Sequence, residues 1–158
     1  MKKFILAVTC AALLSSSALA QELYVGVAGA TPTNTDDETI GLSAQVGVGL
    51  LAGFTVRAAV ETSADFDTFR LASGDLLYNI GLPLTQSKAY FGAGADAFFE
   101  DQPDEISDVQ DGPFGAHVVG GGELRLGRFG VFGEVQPGLL FEDFDTYFRA
   151  RAGVNLHF

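Results

Sequence analysis

The chain has 158 residues, with 20 acidic side chains against 9 basic ones and a formal net charge of −11. Such a charge disfavours nucleic acid and anionic membrane surfaces as partners. The length suffices for one domain, and no apolar stretch beyond the amino terminus approaches the ~20 residues of a membrane-spanning helix.

The amino terminus has the organisation of a secretory signal. Lys2 and Lys3 precede an apolar run, and Ala18 and Ala20 occupy the small positions before a cleavage point in front of Gln21. The pattern predicts a signal peptide over 1–20 and a mature domain over 21–158. Cleavage would remove two lysines, so the net charge of −11 would become −13. It would also remove the single cysteine, so the mature domain could form no disulfide and would have no thiol nucleophile.

Eight segments of the mature chain read as β-strands. The last one is the most regular, because every second residue from Phe148 to Phe158 is apolar. The fourth is the least regular, and we expect a bulge at Ser73-Gly74; a second bulge is expected at Pro137. An even strand number predicts an all-β, antiparallel up-and-down barrel. The predicted strands are 23–30, 40–50, 54–62, 69–82, 89–99, 116–126, 129–140 and 147–158.

The polar faces of these strands consist of small residues and a few charges of both signs. This composition fits the inside of a narrow barrel, which leaves the apolar faces for lipid. A secreted soluble barrel with an apolar ligand inside remains an alternative. In the last hairpin we expect Gln136 opposite Arg151, and Glu134 diagonal to it. The predicted inward set is Gln45, Arg57, Glu61, Asp96, His117, Glu123, Arg125, Glu134, Gln136, Arg149 and Arg151.

Two interpretations of this inward set stay open. The side chains could pair into an ionic plug, which we favour because eight strands leave an interior that side chains fill. They could instead line a gated conduit, a proton path or a narrow pore for small solutes or cations.

Connections between the predicted strands alternate between long and short. The first, third, fifth and seventh are acidic and contain no Lys or Arg, whereas Lys88 and Arg128 lie at the other end. This segregation predicts extracellular acidic loops and periplasmic termini. The loop acids are Asp36, Asp37, Glu38, Asp65, Asp67, Glu100, Asp101, Asp104, Glu105, Asp108, Asp111, Glu142, Asp143 and Asp145.

Aromatic side chains are predicted to form two girdles at the ends of the barrel. The periplasmic set is Phe54, Tyr90, Phe91, Phe129 and Phe158. The extracellular set is Phe66, Phe69, Phe98, Phe99, Phe114, Phe141, Phe144, Tyr147 and Phe148.

With its signal peptide, strand count, loop asymmetry and terminal strand YFRARAGVNLHF, the chain resembles the small outer-membrane barrels of the OmpA and OmpX type. The resemblance implies that Phe158, with Val154 and Leu156, is the signal read by the barrel-assembly machinery. It also implies location in the bacterial outer membrane, in contact with its lipid.

Evidence for catalysis or a metal site is weak. His117 and His157 are the only histidines, and no serine is suitably spaced from His117 for a deacylase-like pair; Ser63 and Ser107 lie in loops. The acidic fifth connection could hold Ca²⁺ or another divalent cation through Asp101, Asp104, Glu105, Asp108 or Asp111, without EF-hand spacing. We therefore expect a monomeric, non-enzymatic barrel without a cofactor. Its loops are expected to bind cations or an envelope protein.

Overall fold

Eight β-strands make up almost all of the part of the chain that the structure, a computed structural model, describes. It describes residues 22–31, 40–62, 69–83, 85–99, 114–142 and 144–158, without the side chains of Phe69 and Arg70. Within these ranges no helix is long and apolar enough to cross a membrane. The strands are β1 (Glu22–Ala30), β2 (Gly41–Gly49), β3 (Phe54–Thr62), β4 (Phe69–Gly81), β5 (Lys88–Phe98), β6 (Phe114–Leu126), β7 (Phe129–Leu140) and β8 (Thr146–His157).

The strands form a closed barrel in sequence order, and each strand is antiparallel to both of its neighbours. Closure joins β1 to β8 from the Tyr24–His157 pair to the Ala30–Arg151 pair. Phe158 prolongs this ladder, because its backbone N–H donates to the carbonyl of Leu23 at 2.8 Å. The predicted up-and-down barrel of eight strands is confirmed.

Short connections mark one end of the barrel, which we call the turn end; the opposite end is the loop end. Leu51–Gly53 forms a single 3₁₀ turn between β2 and β3. Gly127 and Arg128 join β6 to β7, and the φ of +64° at Gly127 suits a glycine at the first central position of a hairpin turn. Glu22 and Phe158, the first and last described residues, both lie at the turn end.

The predicted bulge at Ser73-Gly74 was wrong. Both residues pair in unbroken register with β3, and the register shifts instead between Glu61 and Thr62. The alternation of β4 looked irregular because Leu71 and Leu77 face the interior, where the pattern of the other strands led us to expect polar side chains.

The predicted bulge at Pro137 was also wrong. On one side Pro137 pairs with Phe148 in the constant register of β7 and β8. On the other side, the pairing with β6 is interrupted between the His117–Gly138 and Gly120–Val135 pairs. It continues beyond them in the same register. The missing N–H therefore interrupts hydrogen bonding without adding a residue to the strand.

The two faces of the barrel wall have the reverse of the polarity of a water-soluble protein. The largest fully buried side chains are those of Arg57, Arg149, His157, Gln136 and Asp96. Exposed large apolar side chains occur on outward positions of β1 and of each strand from β3 to β8, whereas none of the large apolar side chains of β2 is fully exposed. The interior of the barrel is thus polar and its outer wall is apolar.

Inward glycines make room for large side chains from neighbouring strands, which yields a prediction with a matched control. A Cβ on Gly121 would lie 2.6 Å from Cβ of Glu134 and 2.7 Å from the carbonyl oxygen of Gly133, whereas a Cβ on Gly120 would meet nothing within 4 Å. We expect Gly121→Ala to cost about 1–3 kcal/mol of unfolding free energy through overpacking. Gly120→Ala, one position along the same strand, should be nearly neutral. Equal denaturation midpoints for the two variants would contradict the assignment of faces.

Candidate functional site

The candidate site is the set of charged side chains that face the interior, which we call the lumen network. Its described members are six carboxylates and five Lys or Arg side chains, and they come from seven of the strands. They are Glu22, Arg57, Glu61, Asp75, Lys88, Asp96, Glu123, Arg125, Glu134, Arg149 and Arg151.

Glu134 on β7 is the centre of the network. Its Oε2 accepts hydrogen bonds from Nη1 of Arg57 at 2.6 Å and from the hydroxyl of Tyr90 at 2.8 Å. Its Oε1 accepts from Nε2 of Gln136 at 2.7 Å and from Nη1 of Arg151 at 3.1 Å. One buried carboxylate therefore pairs with two arginines, Arg57 on β3 and Arg151 on β8, and joins them.

A second cluster surrounds His117 towards the loop end. Its Nδ1 lies 2.6 Å from Oδ2 of Asp96, and its Nε2 lies 2.7 Å from Oδ1 of Asp75. Asp96 also accepts from the hydroxyl of Tyr147, and from Nη2 of Arg149 at 3.1 Å. The remaining oxygen of Asp75 accepts from Nε of Arg57 at 2.7 Å, which connects this cluster to the centre.

Towards the turn end, amides continue the network. Arg151 donates to Oε1 of Gln45 at 2.9 Å, Gln45 donates to Asn155 at 2.8 Å, and Asn155 donates to Glu123 at 2.5 Å. Because consecutive hydrogen bonds share a side chain, these residues connect the middle of the barrel to its turn end.

Charges of both signs also close the turn end. Nζ of Lys88 lies 3.8 Å from a carboxylate oxygen of Glu22 and 3.8 Å from one of Glu123. Arg125 pairs with Glu22. The ring nitrogens of His157 lie 2.9 Å from Glu22 and 3.0 Å from Glu123, although neither contact has hydrogen-bond geometry.

Little space remains between these side chains. The void beside Glu61, Arg149 and Arg151 has a volume of about 140 Å³ and leaves no position for a water-sized sphere. One nitrogen on each of Arg57, Arg149 and Arg151 has no acceptor within the described ranges. Around Glu61, Arg149 and Arg151, side chains therefore fill the lumen.

The structure places all seven residues of the predicted charge network in the lumen or at its turn-end mouth. The predicted pairing in the last hairpin was wrong by two residues, since Glu134 lies opposite Arg151 and Gln136 opposite Arg149. The hydrogen bond at the end of this hairpin has the same register, since the N–H of Leu140 donates to the carbonyl of Asp145 at 2.8 Å.

Sequence reasoning missed Asp75, Glu22 and Lys88 as members of the network. Leu71 and Leu77 make the alternation of β4 irregular and hide Asp75, although alternation counted from Leu71 places Asp75 inside. Glu22 and Lys88 occupy the last inward positions of β1 and β5 at the turn end, beyond the strand limits expected from apolar patterning.

Three rings assigned to the girdles point inward instead. Tyr90 and Tyr147 are buried and donate to lumen carboxylates, and Phe98 packs edge-on against Tyr147 at 5.5 Å between ring centroids. A ring missing from the prediction, Tyr78, lies on the outer wall between Phe54 and Phe91. The side chains of Phe66 and Phe69 lie outside the described residues.

His117 is not arranged for nucleophilic catalysis. Both ring nitrogens of His117 face carboxylates, so neither is available to take a proton from a nucleophile. Ser63 and Ser107 lie outside the described residues.

The predicted cation ligands Asp101, Asp104, Glu105, Asp108 and Asp111 also lie outside the described residues. Among the residues that are described, no group of three or more His, Cys, Asp or Glu side chains is placed to hold a metal ion. The calcium site therefore stays a prediction.

Comparisons with known proteins identify a fold but no family. No family model and no curated protein matches the sequence. The N-terminal β-barrel domain of Pseudomonas aeruginosa OprF is similar in structure, with a TM-score of 0.69 and 15% identity over 89% of this chain and 99% of that domain. The Yersinia pestis outer membrane protein Ail, determined in a phospholipid bilayer nanodisc, has a TM-score of 0.47 and 10% identity over 87% of this chain and 99% of Ail. This chain has the closed eight-stranded fold of the OprF barrel domain.

Proposed function

We propose that the protein is a non-enzymatic barrel that spans the bacterial outer membrane as a monomer, with a side-chain plug in its lumen. The observation that carries this proposal is the reversed polarity of the wall. Arg57, Arg149 and Asp96 are buried, whereas Val, Leu and Phe side chains cover the outside. In water, the exposed apolar wall and the buried charges would both be unfavourable. A bilayer accepts an apolar wall whose strands hydrogen-bond to both neighbours in a closed barrel.

The height of the apolar wall agrees with a bilayer. Along β8 and its continuation to Phe158, the outward rings of Phe148 and Phe158 are 53% and 66% exposed and lie ten residues apart. Ten residues span roughly 34 Å along a strand. At a tilt of about 40° the vertical separation is roughly 26 Å, close to the ~25 Å apolar band of outer-membrane barrels.

The filled lumen favours a structural or interaction role. An apolar ligand inside the barrel would meet Glu134, Arg57 and their partners, so the described lumen does not suit a secreted apolar-ligand carrier. A narrow pore is the alternative that the continuous polar network still supports. The same network is poorly suited to conduct protons. Arg57 and Arg151 lie in the middle of its contacts, and a guanidinium does not give up its proton.

Planar-bilayer recording separates the plug from the pore. If the lumen network fills the barrel, the purified protein should show no large, stable conductance. Reconstitution of the OprF barrel domain in parallel would control for insertion of a similar fold. A porin-like conductance in the unmodified protein would replace the plug with the transport function.

Sequence features support an orientation with the turn end in the periplasm. The acidic connections would then be extracellular, and the terminal residues Val154, Leu156 and Phe158 would be presented to the assembly machinery on the periplasmic side. We further propose that the extracellular acids, chiefly those of 100–114, attract divalent cations or a basic surface of another envelope protein.

Charge neutralisation tests the proposed role of the loops. A variant with amides at Asp101, Asp104, Glu105, Asp108 and Asp111 should keep the barrel folded and lose salt-sensitive binding of Ca²⁺ or of the envelope partner. Calorimetry with CaCl₂ and pull-down from envelope extracts are the measurements. Unchanged binding in both assays would mean that these acids serve only to solvate the loop.

A further inference from the structure

The environment of His117 determines how many protons its ring carries. The imidazole is fully buried between Asp75 on β4 and Asp96 on β5, with nitrogen–oxygen distances of 2.7 Å and 2.6 Å. A neutral imidazole has one N–H donor and one lone-pair acceptor, whereas an ionised carboxylate only accepts. A neutral ring would therefore direct a lone pair at one of the two carboxylates.

The proton could in principle sit on a carboxyl group, but the other contacts of both aspartates oppose this. Asp75 accepts from Nε of Arg57, and Asp96 accepts from Nη2 of Arg149 and from the hydroxyl of Tyr147. Arginine cannot accept a hydrogen bond, and a guanidinium at these distances stabilises the ionised carboxylate. The ring is thus the place where an additional proton is stabilised from both sides.

The charge of the whole lumen network gives an independent argument. Six carboxylates face five Lys and Arg side chains among the described residues. An uncompensated charge in a filled, poorly hydrated interior is costly. A proton on one lumen histidine would make the count equal, and of His117 and His157 only His117 has both ring nitrogens in hydrogen-bond geometry with carboxylates.

We infer that His117 is a buried proton-binding site: both ring nitrogens carry a proton, and the imidazolium bridges Asp75 and Asp96 as the sixth cation of the lumen network. The bound proton joins β4, β5 and β6 through two charge-assisted hydrogen bonds. Arg57 on β3 also donates to Asp75. Arg149 and Tyr147 on β8 also donate to Asp96. This inference concerns the folded lumen and does not depend on the membrane location proposed above.

Nuclear magnetic resonance of the folded protein in detergent micelles tests the inference directly. The full mature chain would be labelled with ¹⁵N at histidine and observed at neutral pH through long-range proton–nitrogen correlations. An imidazolium gives two ring nitrogens with similar shifts, each bearing a proton, whereas a neutral ring gives two widely separated shifts. His157→Gln, which leaves His117 as the only histidine, makes the assignment without disturbing the site.

Asp75→Asn provides the second measurement, because it removes one of the two carboxylates that stabilise the proton. We expect the imidazolium pattern in the unmodified chain and a shift towards the neutral pattern in Asp75→Asn. Glu22→Gln, at the turn end, should leave the His117 signals unchanged. A neutral pattern in the unmodified protein would overturn the inference, and so would an imidazolium pattern that Asp75→Asn does not change.

Discussion

Glu134→Gln should destabilise the barrel more than any other single amide substitution in the lumen. Glu134 accepts from Arg57, Arg151, Tyr90 and Gln136, and an amide would present an NH₂ group to at least one of these donors. Loss of one partner from a buried ion pair costs about 3–5 kcal/mol, because the remaining charge stays buried. Denaturant unfolding in detergent or lipid vesicles, read as a change in midpoint, measures this cost.

Glu22→Gln is the matched control, since it makes the same chemical change at the turn end. The Glu22 side chain is partly exposed and its partners Arg125 and Lys88 reach solvent. Water can replace the lost interaction there, so the expected cost is about 0–1 kcal/mol. If both variants lose the same stability, Glu134 is not the centre of a buried network.

Val135→Arg should lower the yield of folded protein in a bilayer. Val135 is 45% exposed on the outer wall and lies midway along β7 between Phe129 and Phe141. An arginine at the bilayer midplane costs a transmembrane barrel about 2–4 kcal/mol. In a water-soluble barrel the same exposed substitution would change stability by no more than about 0.5 kcal/mol.

Leu126→Arg checks that this cost depends on depth. Leu126 is 79% exposed and adjoins the Gly127-Arg128 turn, so its arginine can reach the interface. The expected cost is about 0–1 kcal/mol. Folding yields in lipid vesicles distinguish the two variants, and tolerance of Val135→Arg equal to that of Leu126→Arg would argue against a membrane-spanning wall.

Strict alternation made most of the fold predictable from the sequence. In β3 and β8, the outward positions on both sides of Arg57 and Arg149 are apolar, so both the strand and its inward face followed from the pattern. The pattern was weaker in β4, because a barrel interior also buries Leu71 and Leu77. That mixture concealed Asp75, one of the two carboxylates that face His117.

The contacts within the lumen required the three-dimensional structure. Alternation fixes the face of a residue but not its partner, since a register change of two residues leaves every face unchanged. The error between Gln136 and Arg151 was of this kind. Pairs across the lumen, such as Arg57 with Glu134, depend on barrel closure and shear, which no local pattern encodes.

Site-specific labelling of intact cells tests the membrane-spanning account most directly. The only cysteine of the chain is in the predicted signal peptide, so Phe144→Cys at the loop end and Arg128→Cys at the turn end each introduce a single target. Phe144 is 73% exposed beside β8, and Arg128 is exposed in its turn. An impermeant maleimide should label Phe144→Cys in intact cells and Arg128→Cys only after the outer membrane is permeabilised. Equal labelling of both positions in intact cells, or recovery of the protein as a soluble species, would contradict the account.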